Sequence, residues 1–551
     1  MDDALGAARD LIGRYWEGLL ETEPLLGTVV GDERFDDRLP DPSAEGRARR
    51  ERLHRGALEE LAVLPRDLAD EDARLGLDIL EAIAHRDLAA LEHRSDRLWA
   101  VSHLWGPAGL IGELASLQRV DTPERVDRYV ARLSAMPAFY GSAAEVMGEG
   151  VADGVTAPTI VVERAIAQTE RIIGAGVDGS PAIASLADRD DGSRARVSVA
   201  VETHLLPALA RYLDALRTYL PSATETLGLY ALPGGDEMYA AQILSWTTLP
   251  LDARQIHDLG VEDLAKIQEE RREAAADLGF ADADAAEAAL LAEVFGSPEE
   301  LKAVAEEQVA RCWEAAPSMF GRLPSTNCEV RLVETFREAD MPFAFYNPPT
   351  DDGSRPGVYY VNGHALERKP RHHLASTTYH EASPGHHFQI ALEQEFGDRP
   401  PLRRFGGFLA GSAFIEGWGL YSERLADEMN LFADQKERLG MFDMQGMRAA
   451  RLVVDTGLHA LGWSRERAIG TLVQAGVSSS DAAVETDRYV TMPGQALSYK
   501  IGQFEIERRR AAAAEREGAG FSLPAFHDRL LALGSLPLAA LRRELERPAT
   551  P

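Results

Sequence analysis

The chain has 551 residues, of which 45% are hydrophobic and 27% charged, values typical of a folded water-soluble protein. Its net charge of −31 argues against nucleic acid as a partner, because a phosphate backbone requires a basic surface. We expect a cytoplasmic protein without a membrane partner, since the chain has no long apolar run, no apolar signal-peptide core at its acidic start and too few cysteines for a disulfide framework.

Helical spacing of apolar residues dominates the first part of the chain. It predicts helices over Ala4–Glu21 and Ala73–His93, and similar segments rich in Ala, Leu, Glu and Arg continue to about Ala315. Breaker residues interrupt them at Gly174–Pro181 and Leu232–Glu237.

Alternating and β-branched residues replace this pattern between Asn327 and Asn362. Strands are predicted at Cys328–Phe336, Phe343–Pro349 and Gly357–Asn362. The turn signal PPTDDGSRPG separates the second strand from the third. This part of the sequence therefore predicts a small antiparallel sheet inside a helical protein.

Helical patterning resumes near Arg371 and runs almost to the C-terminus, so a histidine-rich segment lies on the first helix after the sheet. No repeat or low-complexity linker marks a domain boundary. Residues 1–551 are expected to form one unit, with a helical part at 1–326, the sheet at 327–369 and a second helical part at 370–551.

Histidine is concentrated in this region. Six of the 14 histidines fall between His364 and His387, although His372 and His373 are compatible with surface residues at a helix start. The segment YHEASPGHHFQI (Tyr379–Ile390) begins with the His-Glu pair of zinc-peptidase helices. It lacks the second histidine that H-E-x-x-H has four residues after the first.

A regular helix cannot bring the remaining histidines to one ion. His386 lies on another side of such a helix from His380, and His387 is two turns away. Pro384 cannot donate to the carbonyl of His380, and Gly385 permits backbone angles that other residues avoid. The helix is therefore expected to bulge or break and bring His386 toward His380. The alternative is a helix that ends at a surface turn and binds no metal.

Three carboxylates complete the predicted site. Glu416 is the predicted third zinc ligand, because a carboxylate in its apolar, glycine-flanked setting requires a partner. Glu423 is seven residues further along the same helix face and is predicted to orient a histidine. Glu381 is the predicted general base, as in H-E-x-x-H enzymes. The alternative is that these carboxylates face solvent.

Four segments resemble hallmark segments of the bacterial domain-of-unknown-function 885 (DUF885) family, and Leu25–Asp41 is similar to that family's start. The segments are HEASPGHHFQ, EGWGLYSE, RAARLVVDTGLHALGWSRERAI and MPGQALSYKIGQ. The resemblance implies a largely helical fold similar to M32-type zinc carboxypeptidases. It also selects His386 over His387 as the second ligand, and His387 is then expected to help orient the ligands.

Related zinc peptidases often use a further Tyr or His to stabilise the oxyanion. Tyr499 is the first candidate and His459 the second, although each is also compatible with a buried core position. Arg448 and Arg451 could bind a substrate carboxylate, with surface positions as the alternative, and Gln495 lies one helical turn before Tyr499.

The predicted strand Gly357–Asn362 offers an edge to which a peptide could add, with Tyr359, Tyr360 and Asn362 lining the site. Two of these side chains could equally belong to the sheet core. No G-x-S-x-G, P-loop or G-x-G-x-x-G motif supports a serine hydrolase or a nucleotide-binding protein.

These features predict a mainly α-helical, metallopeptidase-like protein that cleaves short peptides in a deep cleft with one Zn²⁺ per chain. Two alternatives remain at this point. One is a metal-dependent hydrolase of a non-peptide amide or ester, and the other is a catalytically silent peptide-binding protein with the same fold.

Overall fold

The computed structural model describes residues 2–184, 186, 192–335, 338, 341–349, 356–397 and 399–547. Helices make up most of these residues and a small sheet interrupts them, which confirms the mainly helical fold class. Across the described residues, no helix combines the length and the apolar character that a membrane span requires.

The chain divides into two compact units. The first comprises Met1–Gln242, Leu458–Ser464 and Glu485–Pro493, and the second comprises Ile243–Gly457, Arg465–Val484 and Gly494–Pro551. Residue 326, where the first helical part was predicted to end, lies inside the second unit.

The first unit contains eleven of the described helices. They are α1 (Asp2–Thr22), α2 (Pro24–Val30), α3 (Ala44–Leu61), α4 (Glu71–Glu92), α5 (Asp96–Trp99), α6 (Leu110–Leu117), α7 (Pro123–Asp153), α8 (Thr159–Gly174), α9 (Pro181–Ala184), α10 (Ser193–Ala200) and α11 (Leu206–Tyr219). The helices predicted at Ala4–Glu21 and Ala73–His93 correspond to α1 and α4. The breaker at Gly174–Pro181 lies between α8 and α9.

The helices that follow begin with α12 (Gly235–Thr247), which like α20 and α22 contributes residues to both units. The others belong to the second unit. The bounds are α13 (Ala253–Asp277), α14 (Ala283–Leu290), α15 (Pro298–Ala315), α16 (Leu374–Glu381), α17 (His386–Gln394), α18 (Pro401–Leu409), α19 (Ala413–Glu428), α20 (Gln435–His459), α21 (Arg465–Gln474), α22 (Ser479–Thr491), α23 (Ser498–Glu517), α24 (Leu523–Ala532) and α25 (Leu538–Glu546).

Short polar side chains start many of these helices. Each accepts a hydrogen bond from a backbone N–H of the first turn, which has no partner within the helix. This arrangement recurs at α3, α4, α7, α13, α14, α15 and α24, where the residues are Ser43, Asp70, Thr122, Asp252, Asp282, Ser297 and Ser522.

The sheet has the order β1 (Cys328–Leu332), β3 (Gly357–Val361), β2 (Ala344–Asn347). β3 pairs parallel with β1 and antiparallel with β2, so the prediction of a purely antiparallel sheet was wrong. All five residues of β3 are buried, as expected of a strand covered on both faces. Phe336 and most of the predicted turn, residues 350–355, lie outside the described residues.

The sheet packs against α15 and α16 through a shared apolar cluster that includes Leu301, Tyr359 and Leu374. α19 and α23 lie against each other where Gly417 faces Gly502. A Cβ atom on either glycine would overlap the facing backbone. These contacts fix the positions of α16, which carries His380, and α19, which carries Glu416.

Candidate metal centre

The histidine motif spans a break between two helices. α16 ends at Glu381, one residue after His380, and α17 begins at His386. A Cβ atom at Gly385 would overlap the carbonyl oxygen of His380, so this close approach requires glycine. The predicted break at Ser383-Pro384-Gly385 is confirmed.

Helix α19 anchors this break through hydrogen bonds to its carbonyl groups. The indole Nε1 of Trp418 donates to the carbonyl oxygens of Pro384 and Gly385 at 3.0 and 3.1 Å. The Ser422 hydroxyl donates to the Pro384 carbonyl at 3.3 Å. The connection between the two histidines is therefore attached to the helix that carries the predicted carboxylate ligand.

The two histidines face one carboxylate oxygen. The Nε2 atoms of His380 and His386 lie 3.6 and 3.7 Å from Oε2 of Glu416. The two imidazole rings are 4.7 Å apart between centroids and nearly perpendicular. Nδ1 of His380 lies 2.8 Å from Oε1 of Glu423, so the opposite ring nitrogen, Nε2, faces Glu416.

These separations fit a shared metal ion better than direct hydrogen bonds, which are about 2.7–3.2 Å long. Two ligand atoms placed about 2.0–2.2 Å from a tetrahedral zinc ion lie about 3.3–3.6 Å from each other. Two imidazoles and one carboxylate are also a donor set that zinc uses in catalytic sites. His380, His386 and Glu416 therefore fit a zinc ion.

The pKa values of the Glu381 and Glu416 carboxyl groups are shifted in opposite directions. Burial is the largest influence on the Glu381 carboxyl and raises its pKa to about 7, against the opposing charges of His380 and Arg448. Burial also acts on Glu416, but its contacts with His380, His386 and Tyr499 outweigh it and lower the pKa to about 2. Glu416 therefore stays ionised, while Glu381 can exchange a proton near neutral pH.

A buried hydrogen-bonded chain supports the carboxylate that holds His380. Oε2 of Glu423 accepts from the Ser376 hydroxyl and from Nε2 of Gln445, each at 2.9 Å. The Lys500 ammonium donates to Oε1 of Gln445 at 2.8 Å and lies 3.0 Å from a carboxylate oxygen of Asp263. The role predicted for Glu423, orienting a histidine, agrees with these contacts.

The structure brings Tyr499 and two arginines near these groups. The Tyr499 ring lies 6.5 Å from the His380 ring, and its hydroxyl contacts Glu416. The guanidinium of Arg451 lies 4.5 Å from the centre of the Tyr499 ring. Arg448 is half-buried, and its charge acts on the carboxyl groups of Glu381 and Glu423.

His387 is engaged away from the two facing histidines. Its Nε2 donates to the Thr326 carbonyl at 2.9 Å, and its Nδ1 accepts from the Tyr346 hydroxyl at 3.0 Å. Since both ring nitrogens have partners beside the sheet, His387 is not available to bind the ion or to orient His380. The geometry therefore favours His386 as the second ligand.

Three residues predicted to line a peptide-binding edge have structural positions instead. β3 is the central strand, so it offers no free edge. Tyr359 is buried and its hydroxyl contacts Thr378, while Tyr360 stacks on Phe345. The Asn362 side chain is buried and bonds to four nearby backbone groups. The prediction that Tyr359, Tyr360 and Asn362 bind substrate at a strand edge was therefore wrong.

His459 belongs to the first unit, where backbone groups occupy both ring nitrogens. Its Nδ1 accepts from the N–H of Leu229 at 3.3 Å, and its Nε2 donates to the carbonyl of Tyr489 at 3.0 Å. Its side chain is fully buried. These contacts give His459 a structural role, so it does not enter the proposed mechanism. Gln495 is also buried, in the short 3₁₀ helix before α23.

Several residues at this centre were not singled out from the sequence. Trp418 and Ser422 anchor the break, and Ser376, Gln445 and Lys500 support Glu423. Their partners are 22 to 55 residues away or in another helix, so spacing alone gives no signal for them. Gly419 did carry a signal, because a glycine inside a helical pattern often marks a close contact. In the structure, a Cβ atom at this position would lie 2.6–2.9 Å from three ring atoms of His380.

Comparison with known proteins identifies related chains. The family model described as "Bacterial protein of unknown function (DUF885)" matches residues 24–545. A solved structure from Colwellia psychrerythraea has a TM-score of 0.90 at 25% identity, with 98% of each chain covered. One from Shewanella oneidensis has a TM-score of 0.78 at 17% identity, covering 98% of this chain and 100% of that chain. Both are described as a "putative lipoprotein", the second with the words "of unknown function". No curated protein matches the chain significantly.

Proposed function

The chain belongs to the bacterial DUF885 family, and on this premise we propose that it is a zinc-dependent peptidase that hydrolyses short peptides. The observation that carries the proposal is the convergence of His380, His386 and Glu416, with Glu381 beside them. The metal-ligating atoms of His380, Glu381 and His386 all lie within 4.8 Å of one another. Glu381 therefore lies within reach of a water molecule at this centre.

Zinc, when bound, would supply Lewis-acid chemistry at this centre. His380, His386 and Glu416 would hold it, and Glu423 would keep the His380 ring in the required orientation. Glu381 would accept a proton from the attacking water and pass it to the leaving amine. The Tyr499 hydroxyl would donate a hydrogen bond to the oxygen on which negative charge develops.

Arg448 supports cleavage at a free C-terminus. Its guanidinium contacts the carbonyl and the sulfur atom of Met444 and has no carboxylate partner among the described residues. A half-buried guanidinium near Glu381 is suited to a two-pronged hydrogen bond with a substrate carboxylate. This arrangement favours a carboxypeptidase over an endopeptidase.

The experiment combines metal analysis with cleavage of a mixed peptide library. Wild-type protein is expected to bind zinc and release C-terminal residues. Glu381→Gln is expected to keep the zinc and lose at least about 100-fold in rate, the contribution of a general base. Glu367→Gln is the matched control, because Glu367 is exposed on a short 3₁₀ helix. Full activity of Glu381→Gln would exclude the proposed base.

The Arg448 assignment has its own test. Arg448→Met is expected to raise KM for peptides with a free C-terminus and to leave KM for C-terminally amidated peptides unchanged. Arg368→Met, on the exposed side of the same short 3₁₀ helix as Glu367, is the control. Turnover of acylated small molecules in place of peptides would indicate an amidase or esterase, and peptide binding without turnover would indicate a silent binding protein.

A further inference from the structure

A second group of metal-ligating side chains lies at the other end of α16. His372 and His373 belong to the 3₁₀ helix Arg371–His373, which directly precedes α16, and Asp443 lies on α20. Their ligating atoms all lie within 4.8 Å of one another. His372 and Asp443 are 3% and 2% exposed, which excludes the alternative that His372 is a surface residue. None of the three takes part in the proposed peptidase mechanism.

The distances within this group match a metal site. Nε2 of His372 and Nε2 of His373 each lie 3.4 Å from the same oxygen, Oδ2 of Asp443. The His373 contact is a long hydrogen bond, and both separations exceed the usual length of about 2.7–3.2 Å. They equal the separation of about 3.3–3.4 Å between two ligands of a tetrahedral zinc ion with bonds of about 2.0–2.1 Å.

His372 also lacks the hydrogen bonds that a buried imidazole normally makes. Among the described residues, neither its Nδ1 nor its Nε2 has a hydrogen-bond partner. Buried polar groups are almost always paired, and an unpaired one calls for an explanation such as an ion. Since Nε2 points toward the oxygen shared with His373, a cation between them would provide the missing partner.

Neighbouring charges position Asp443 and favour a cation. Nε of Arg271 donates to Oδ1 of Asp443 at 2.6 Å, and its NH2 group donates to Glu287 at 2.7 Å. Oδ1 is thus occupied and Oδ2 is left to the two histidines. Two carboxylates and one guanidinium leave a net negative charge at this buried position.

We propose that His372, His373 and Asp443 bind a second zinc ion, which ties α20 to the start of α16. Two imidazoles and a carboxylate suit zinc among the common divalent ions, since calcium and magnesium prefer oxygen ligands. The His373 side chain is partly exposed, so a water molecule can occupy the fourth position. This ion would hold the beginning of the helix that presents His380 at its last turn.

Metal stoichiometry and thermal stability test this site independently of catalysis. Chelator-treated full-length protein is titrated with Zn²⁺ and with Co²⁺, whose visible absorption reports tetrahedral coordination. Wild type is expected to take up two equivalents, and His386→Ala and His373→Gln one each. His364→Gln, at an exposed histidine, is the control and should take up two.

The thermal arm uses the variant that lacks the first site. Zinc is expected to raise the Tm of His386→Ala and to leave that of the double variant His373→Gln/His386→Ala unchanged, with circular dichroism confirming that both are folded. A single equivalent retained in His373→Gln and lost in His386→Ala would overturn the second site. A single equivalent that is retained in His386→Ala and lost in His373→Gln would support the second site and refute the proposed catalytic metal.

Discussion

The substitution Gly419→Ala tests whether His380 is held where the proposed zinc site requires it. Gly419 lies on α19 between Glu416 and Glu423, facing the His380 ring. An added methyl carbon would lie 2.6, 2.7 and 2.9 Å from Cε1, Nε2 and Nδ1 of that ring. Non-bonded carbon contacts are comfortable at about 3.5–4.0 Å, so the imidazole would have to move by about 1 Å.

That movement conflicts with the 2.8 Å hydrogen bond from Nδ1 of His380 to Glu423 and with the orientation of Nε2 toward Glu416. Disturbing a residue that orients a metal ligand typically weakens metal binding about 10–100-fold. Overpacking costs about 1–3 kcal/mol, while alanine is better than glycine in a helix by about 1 kcal/mol. The free energy of unfolding is therefore expected to fall by about 0–2 kcal/mol.

Zinc affinity is measured by competition with a chromogenic chelator, and stability by denaturant unfolding of the metal-free protein. Gly470→Ala in α21 is the matched control, since a Cβ there would meet no atom within 4 Å. It is expected to stabilise the protein slightly and to leave zinc binding unchanged. Wild-type zinc affinity in Gly419→Ala would show that the close contact with Gly419 does not confine the His380 ring.

Three further predictions concern Tyr499, Gly385 and His459. Tyr499→Phe is expected to lower kcat about 10–1,000-fold with zinc content unchanged, and a wild-type kcat would remove Tyr499 from the mechanism. Gly385→Ala is expected to cost more than about 3 kcal/mol of unfolding free energy, since its methyl group would overlap the His380 carbonyl; wild-type stability would contradict the close approach. His459 and His527 are buried, which lowers the pKa of each to about 4. The unfolded chain therefore binds protons between about pH 6.5 and 4 that the folded protein does not, and stability is lost as pH falls through this range, by at most about 3 kcal/mol per histidine. His459→Gln should reduce that loss in denaturant unfolding at pH 7 and pH 4.5, and an unchanged pH dependence would contradict the assignment.

The parts of the centre that could be predicted depend on local chemistry. Pro384 and Gly385 interrupt a helix whatever the rest of the chain does, so the break followed from the sequence. The seven-residue spacing of Glu416 and Glu423 places both on one helix face. These two carboxylates contact opposite nitrogens of His380, as two turns of helix allow.

The parts that could not be predicted depend on partners far along the chain. Strand character at Gly357–Val361 is visible in the sequence, but its central position depends on pairing with two other strands. Its uninterrupted apolar run was the available signal, since such runs favour strands covered on both faces. The burial of His372 depends on Asp443 and Arg271, which come from α20 and α13, and nothing near His372 in the sequence indicates them.

One helix face therefore organises most of the candidate centre. On α19, Glu416, Gly419 and Glu423 follow the i, i+3, i+7 spacing and together enclose the His380 ring. Trp418 and Ser422, on the adjoining face, hold the carbonyl groups of the break that leads to His386. In H-E-x-x-H enzymes a single helix spaces the two histidines. Here the separation of His380 and His386 is instead held by hydrogen bonds from α19 to the break between their two helices. The Pro-Gly insertion is therefore compatible with a preorganised metal centre, because the geometry does not rely on the continuity of the histidine helix.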